Sequence, residues 1–349
     1  MTVEQVKFFK SLKAVRQRTS LLLKYPNHLQ SFDVHLEKLP NVIDDIIKLI
    51  ERDYKSPKDI PMHSRWRHFE AKPIAGTPNP GILEACSTRI QDLTGHWRND
   101  LHIDEKEILR RLLDLSVVSV LLDAGAGPQW KYTAIHEGGT VYNRSEGLGI
   151  ASLVWFNEGG FSSKPFQCDS NGLKNITVKG LETAFQVSSD NPLVGVEGRC
   201  KLLQNLGKVL ENNPKYFGSE NPRPGNLLDF LLTHKDTVKN ESGHTIPLHC
   251  LWEVVVEGFS GVWPATRTKI DGISLGDVWP TKAMKLIHTK EKLSPEELKG
   301  DDENLVAFHK LSQWLTYSLL EPLALSGIHF TGTEDMTGLG MSEKIFNAK

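Results

Sequence analysis

Apolar residues recur every three or four positions along most of the chain, which is the period of an amphipathic helix. Within the first 55 residues this spacing is clearest in "VIDDIIKLIERDY". The longest such segment is 104–122, with leucine or valine at every fourth position from Leu109 to Leu121. Acidic residues fill its first turn, where the helix dipole favours negative charge. The pattern therefore predicts long helices in both parts of the chain.

The remaining segments complete a mainly helical pattern with one exception. The same spacing predicts further helices at 82–93, 145–158, 178–186, 195–212, 225–234, 247–258 and 305–325. In "WKYTAIHEGGTVYNR", β-prone residues flank Gly138-Gly139, which predicts a small β-hairpin near 130–144. A stretch at 56–81 is rich in Pro and Gly but carries Trp66 and Phe69, so we expect an ordered loop there.

The predicted fold class is therefore mainly α, as a single large helical domain over 1–349. We expect an N-terminal helical subregion with its ordered loop at 1–100, a pocket-forming helical core at 101–339 and an atypical tail at 340–349.

Composition narrows the class of protein. The 349 residues are 39% hydrophobic and 24% charged, as in soluble globular proteins, and the net charge of −2 gives no basic surface for nucleic acid or membranes. No signal peptide or membrane span is recognisable. The four cysteines are far apart with no CxxC pair, so we expect neither a zinc ribbon nor disulfides. These features predict a soluble, cytoplasmic protein without a metal or cofactor, and they leave the oligomeric state open.

In "LLDAGAGPQWKY" (121–132), Asp123 is followed at once by Gly-Ala-Gly. A nucleotide-binding glycine loop, as in S-adenosylmethionine-dependent methyltransferases, needs a strand before it and a helix after it, whereas the pattern predicts a helix and then a hairpin. Gly125 or Gly127 could simply end the helix in a left-handed conformation. Asp123 would then lie at the negative end of the helix dipole, where a carboxylate needs a compensating donor or a role in binding.

Two helix starts carry paired charges. Arg144 and Glu146 flank the start of the helix at 145–158, with Ser145 as the expected N-cap. They could bind one polar substrate together with backbone amides, or form a surface ion pair. Asp190 lies in a turn before Glu197 and Arg199, and the planar guanidinium of arginine suits phosphate or carboxylate.

The last long helix has an unusual polar side. In "AFHKLSQWLTYSLLEPL" (307–323), every fourth residue is polar but mostly uncharged: His309, Gln313, Tyr317 and Glu321. Such a row is typical of a buried hydrogen-bonded network or of a catalytic wall. His63 and His68 have no cysteine or carboxylate nearby at ligand spacing, so they do not predict a metal site.

Several motifs together resemble those of a known family, the uracil-catabolism proteins of the Urc four/Urg three type. They cover most of residues 10–339 and comprise "IPMHSRWRHFEA", "LLDAGAGPQWKY", "RSEGLGIASLVWFNEGGFSS", "FQVSSDNPLVGVEGR", "LGDVWP" and "FHKLSQWLTYSLLEPL". Their order is also remotely similar to that of the queuosine-salvage N-glycosylases. Those enzymes are mainly α, resemble DNA glycosylases and cleave the N-glycosidic bond of a nucleoside 5′-monophosphate with carboxylates.

These resemblances imply an N-ribosidase that splits ribosylurea 5′-phosphate, or a related nucleotide, into urea and a ribose phosphate. They place a catalytic carboxylate at Asp277 and a Glu/Arg helix start at Glu197 and Arg199. The second acidic residue of the remote family is replaced here by His309 and Lys310.

The implied substrate is a small nucleotide-derived molecule, and the remaining roles follow from its chemistry. Glu321 or His309 would assist the departure of urea, and Gln313 would bind its carbonyl. The 5′-phosphate would be bound by Arg144, Arg199 and Lys310. Trp130 and Trp279 would form the walls of the site. Asp123 would contact ribose hydroxyls or orient nearby donors.

Two alternatives remain. One is a non-catalytic nucleotide or metabolite sensor of the same pathway, and the other is a methyltransferase. Relatives continue after "TGL" with a Pro-Glu-Tyr-Arg-rich segment, whereas this sequence ends in "GMSEKIFNAK". We therefore expect a shortened form that could bind substrate without turning it over.

Overall fold

The computed structural model describes residues 3–73, 83–85, 88–241, 243–264, 266–297 and 304–338. Its α-helices are α1 (Val3–Phe9), α2 (Leu12–Lys24), α3 (Leu39–Asp53), α4 (Trp66–Phe69), α5 (Arg89–Asn99), α6 (Glu105–Leu122), α7 (Arg144–Asn157), α8 (Ser170–Lys174), α9 (Val178–Ala184), α10 (Val196–Asn212), α11 (Pro214–Phe217), α12 (Leu227–Thr233), α13 (Leu248–Glu253), α14 (Lys282–Lys290) and α15 (Lys310–Leu325). A π-helical turn at Val254–Gly258 continues α13. Within the described part of the chain no helix is long and apolar enough to span a bilayer.

The strands are short. They are β1 (Ala71–Pro73), β2 (Leu83–Ala85), β3 (Lys131–Ala134), β4 (Thr140–Asn143), β5 (Val238–Asn240), β6 (Gly243–Pro247), β7 (Lys269–Ile270), β8 (Ile273–Ser274), β9 (Val278–Pro280), β10 (Leu305–Ala307) and β11 (Ile328–Thr331). Neighbouring pairs are antiparallel, and β6 also pairs in parallel with β11. Because helices predominate and the sheets are small, the predicted mainly α class is confirmed. The hairpin predicted near 130–144 is β3–β4, with Tyr132 opposite Tyr142.

The chain divides into two compact units. The first comprises Met1–His63, Thr266–Leu311 and Asp335–Lys349, and the second comprises Ser64–Ala265 and Ser312–Glu334. The single domain expected from the sequence, with its subregions at 1–100 and 101–339, stays a prediction. The expected tail at 340–349 lies outside the described residues.

Each unit has its own core. In the first unit, apolar residues of α1 and α2 pack with β10 and with the segment that contains β7–β9, and Phe9 and Val278 are fully buried there. In the second unit, α6 is central, since all of its residues from Ile108 to Leu122 except Arg110 are buried. A helix that is buried on every side must lie inside the core. The Asp104 carboxylate caps its start by accepting the Glu107 N–H at 2.9 Å.

The structure corrects several predictions from the sequence. The prediction of a helix at 82–93 is wrong in its first part, because Leu83–Ala85 is a strand paired with β1 and the helix begins only at Arg89. Residues Leu305–Ala307 pair with β9, so the last helix begins at Lys310 rather than at 305. The methyltransferase alternative is also wrong, because the residues before Asp123 form a helix instead of the strand that it requires.

Candidate functional site

The end of α6 brings Asp123 between two donors in the second unit. Its Oδ2 accepts Arg65 Nη1 at 2.7 Å, and its Oδ1 accepts the Ser145 hydroxyl at 3.0 Å. The expected N-cap role of Ser145 is therefore wrong. Helix α7 begins at Arg144, after Asn143, and the Ser145 side chain donates to Asp123 instead. These two bonds are the compensation that a carboxylate needs at the negative end of a helix.

Arg65 is the central cation of this region and is fully buried. Its Nε donates to Ser119 Oγ at 2.7 Å, and its guanidinium carbon lies 5.7 Å from the centre of the Trp314 ring. Burial lowers the pKa of Arg65, and the charges of Asp123 and Glu146 oppose that shift. Its Nη2 is buried without a hydrogen-bond partner among the described residues. Arg65 therefore has an unused N–H group, although the rest of its guanidinium is fixed.

The start of α7 supplies two charged groups beside Arg65. Glu146 is half-buried and lies near enough to Arg65 for its charge to act on the arginine pKa. Arg144 is exposed and has a φ of 48°. A left-handed backbone costs a non-glycine residue about 1–2 kcal/mol, and such strain is concentrated at functional sites. Neither side chain forms a hydrogen bond or ion pair with another described residue, so both are available to a ligand.

A pair of carboxyl groups lies around Arg67. Glu321 accepts hydrogen bonds from Arg67 Nη2 and from the Ser64 hydroxyl. Burial raises the pKa of Glu70. Arg67 and the Trp66 side chain oppose this rise, and the Glu321 charge adds to it. One carboxylate is thus neutralised by an arginine, while its neighbour tends to keep a proton. Paired carboxyl groups with such different environments are typical of acid–base chemistry.

These residues form one polar cluster in the second unit, which we call the Arg65–Arg67 cluster. Its members are Ser64, Arg65, Arg67, Glu70, Asp123, Ser145, Glu146, Trp314 and Glu321. Sequence reasoning selected Asp123, Glu146 and Glu321 but missed Arg65, Arg67 and Glu70. Two arginines around Trp66 in "SRWRHFE" were an available signal, because cations beside an aromatic residue are unusual in a plain loop.

Arg199 has a different environment from the one expected of a phosphate ligand. It is buried, and its guanidinium donates to the carbonyl oxygens of Leu122 at 2.8 Å, Ala124 at 2.6 Å and Gly125 at 3.1 Å, and to that of Val194. Burial lowers the pKa of Arg199 to about 10, which the charge of Asp123 opposes. These carbonyls belong largely to the end of α6 and to the glycine loop after it, so the contacts favour a structural role.

Four other expected ligands also belong to the second unit. Trp130 is buried, and its indole N–H donates to the Phe185 carbonyl at 2.9 Å. Asp190 and Glu197 are exposed, and Gln313 is buried within α15. Their substrate-binding roles stay predictions.

The remaining expected site residues meet in the first unit, at the start of α15. Asp277 Oδ1 accepts the Trp279 indole N–H, and its Oδ2 accepts the Lys310 backbone N–H, both at 2.8 Å. His309 is buried, with a left-handed φ of 48° and its Nε2 2.7 Å from the Phe9 carbonyl oxygen. Burial lowers the pKa of His309, although the bond to Phe9 and the charge of Asp277 oppose this shift. The structure thus brings together Asp277, Trp279, His309 and Lys310.

Comparison of the sequence with known proteins shows the family to which the chain belongs. A family described as "Protein of unknown function (DUF1688)" matches residues 8–341. "Uracil catabolism protein 4" of Lachancea kluyveri is 40% identical over 353 residues, which is 97% of this chain and 74% of that protein. "Protein urg3" of Schizosaccharomyces pombe is 35% identical over 346 residues, with the same two shares. The expected resemblance to the Urc four/Urg three type is confirmed, and the chain belongs to the DUF1688 family.

Proposed function

We propose that this chain acts in uracil catabolism by hydrolysing the bond between C1′ and nitrogen in ribosylurea 5′-phosphate or a related nucleotide. The name of the Lachancea relative supports the pathway. The observation that carries the reaction is the pair of carboxyl groups at Arg67, in which Glu321 is held by two donors and the Glu70 pKa is raised. N-Glycosidic hydrolysis requires a proton donor and a separate carboxylate, and the raised pKa of Glu70 suits it to the first of these roles.

Glu70 is the proton donor in this proposal. Urea is a poor leaving group as an anion, so the nitrogen must gain a proton as the C1′–N bond breaks. A carboxyl group with a raised pKa is protonated closer to neutral pH and can supply that proton. Arg67 and Glu321 act on Glu70 by their charges and tune its proton affinity.

Glu146 is the carboxylate that accepts the proton of the attacking water. Departure of urea leaves an oxocarbenium-like ribose, which a nearby negative charge stabilises. The water oxygen then bonds to C1′, and its proton passes to Glu146 and finally restores Glu70. The free N–H of Arg65 suits the urea carbonyl, since that carbonyl gains negative charge as the bond breaks.

Arg144 is our candidate for the 5′-phosphate. It is exposed, strained in its backbone and without an ion pair among the described residues, whereas Arg199 donates to carbonyl oxygens. An arginine fork binds two phosphate oxygens at once, and of these two arginines Arg144 is the one whose guanidinium is not already donating to carbonyl oxygens.

The test is incubation of the purified chain with ribosylurea 5′-phosphate, with urea and reducing sugar measured over time. We expect both products in equal amounts, a loss of roughly 10²–10⁴-fold in kcat for Glu70→Gln and a similar loss for Glu146→Gln. Glu220→Gln is the matched control, because Glu220 is exposed and outside both groups of site residues.

Two results would count against the proposal. Binding of the substrate without release of urea would favour the alternative of a non-catalytic nucleotide sensor. Full activity of both glutamine variants, with activity lost in Asp277→Asn, would move the reaction to the Asp277 group that the sequence predicted.

A further inference from the structure

Three side chains with metal-binding atoms meet at a place that the proposed reaction does not use. His234 follows directly after α12, Asp236 lies two residues later, and Cys250 lies in α13. One donor atom from each lies within 4.8 Å of the others. The donors are an imidazole nitrogen, a carboxylate oxygen and a thiol sulfur, which is the mixture that zinc prefers among the common divalent ions.

The distances fit a tetrahedral ion. His234 Nδ1 lies 3.3 Å from Cys250 Sγ and 3.8 Å from Asp236 Oδ2. Bonds of about 2.0 Å to nitrogen or oxygen and about 2.3 Å to sulfur put the ligand atoms of tetrahedral zinc roughly 3.3–3.6 Å apart. Two of the three separations are therefore close to those of tetrahedral zinc, and the third is at most 4.8 Å.

The surrounding bonds already orient the donors. The Asp236 backbone N–H donates to His234 Nδ1 at 3.2 Å, which holds this ring nitrogen on the side of the other two residues. Metal binding replaces that bond. His249 Nε2 lies 3.0 Å from Asp236 Oδ2 and steadies the carboxylate, as hydrogen-bonded neighbours of metal ligands do.

Burial also suits a site that is loaded from solution. Cys250 is fully buried and the His234 side chain is only 11% exposed, whereas the Asp236 side chain is 41% exposed. The thiol and the imidazole thus form the interior of the site, and the carboxylate lies at its entrance. A solvent molecule can occupy the fourth position from that side.

We propose that His234, Asp236 and Cys250 bind one Zn²⁺ ion, with solvent as the fourth ligand and His249 supporting Asp236. The ion joins the end of α12 to α13 and so fixes two segments that are otherwise linked through β5 and β6. The absence of a CxxC motif explains why the sequence did not predict this site, since its ligands follow no common zinc spacing.

The experiment uses the full chain, stripped with a chelator and then titrated with Zn²⁺ or Co²⁺ alone. We expect one equivalent of metal per chain, a cobalt spectrum with a thiolate charge-transfer band and a rise in Tm on zinc addition. Cys250→Ser should abolish the thiolate band. Asp236→Asn, at an exposed position, should weaken binding by at least about 10-fold. Cys200→Ser is the matched control, because Cys200 Sγ bonds to the Ile176 carbonyl, which a serine hydroxyl can also do.

Three outcomes would overturn the proposal: less than stoichiometric metal in the unaltered chain, a cobalt complex without a thiolate band, or unchanged binding in both Cys250→Ser and Asp236→Asn. If Cys250→Ser fails to fold, the unaltered chain and Asp236→Asn decide the matter alone. The urea assay is independent of this test, so either proposal can fail without the other.

Discussion

Replacing Arg199 by methionine removes the guanidinium at the end of α6 but keeps a flexible apolar stem of similar length. The change removes a donor from four carbonyl oxygens, those of Leu122, Ala124, Gly125 and Val194. Leu122 keeps the hydrogen bond from the Ala124 backbone N–H. The Arg199 side chain is only 2% exposed, so water cannot reach all of these oxygens without local rearrangement. The variant therefore separates a structural arginine from a phosphate-binding one.

The expected loss of stability in Arg199→Met follows from the hydrogen bonds that the guanidinium donates. A hydrogen bond from a charged donor contributes about 1.5–3 kcal/mol, and contributions from one side chain overlap. We therefore expect a loss of about 3–5 kcal/mol in the free energy of unfolding, because each buried carbonyl oxygen left without a donor costs about 1–3 kcal/mol. For a unit of this size, the loss corresponds to a fall in Tm of roughly 6–20 °C.

The assay is thermal unfolding by calorimetry, compared with Arg98→Met as the control. Arg98 lies in the same unit, but its side chain is 46% exposed and pairs with the exposed Glu105, so its loss should lower Tm far less than the loss of Arg199. A similarly small effect for Arg199→Met, accompanied by weaker binding of phosphate-bearing substrates, would refute the structural interpretation and support phosphate binding.

Three further predictions can be measured by the same unfolding assay. Gly225→Ala should lower the free energy of unfolding by more than about 2 kcal/mol, because the new Cβ would lie 2.3 Å from the Arg110 carbonyl oxygen. Gly198→Ala, where the Cβ meets open space, should raise it by roughly 0.5–1 kcal/mol. Equal effects of the two substitutions would contradict this reasoning. Folding raises the Glu70 pKa above 4.5, so the folded chain holds the carboxyl proton of Glu70 more tightly than the unfolded chain does. The free energy of unfolding should therefore fall as pH rises from 4.5 through the raised pKa. Glu70→Gln should remove that decline, and an unchanged pH dependence would count against it. The His309 pKa is lowered from 6.5, so the unaltered chain should lose stability as pH falls below that value, and His309→Gln should lose less. If His309→Gln loses as much stability at acid pH as the unaltered chain, His309 does not contribute to that loss.

Local signals account for the parts of the fold that the sequence predicted well. The helix expected at 104–122 is observed at Glu105–Leu122, since both its apolar spacing and the Asp104 cap are encoded within a few residues. The β3–β4 hairpin was equally recognisable, because its glycine turn lies between its two strands. Strand β2 was missed, since its three residues are too few to show a period of two.

The candidate site could be predicted only in part, for the same reason. Asp123 was recognised as a carboxylate in need of a donor, but that donor, Arg65, lies 58 positions earlier in the chain. No spacing rule connects a short loop helix with the end of a core helix. The resemblance to a family supplied Asp277 and its neighbours, whose contacts at the start of α15 could not be derived from periodicity.

The ion pair between Arg67 and Glu321 limits when the Arg65–Arg67 cluster can form during translation. The two residues are 254 positions apart, and ribosomes add about 5–20 residues per second, so roughly 13–50 s pass between the synthesis of the arginine and that of its partner. Arg65, Glu70 and Asp123 are all added to the chain well before Glu321. The carboxylate that completes the cluster is added only when nearly all of the second unit has been translated, so the complete cluster cannot form before that point.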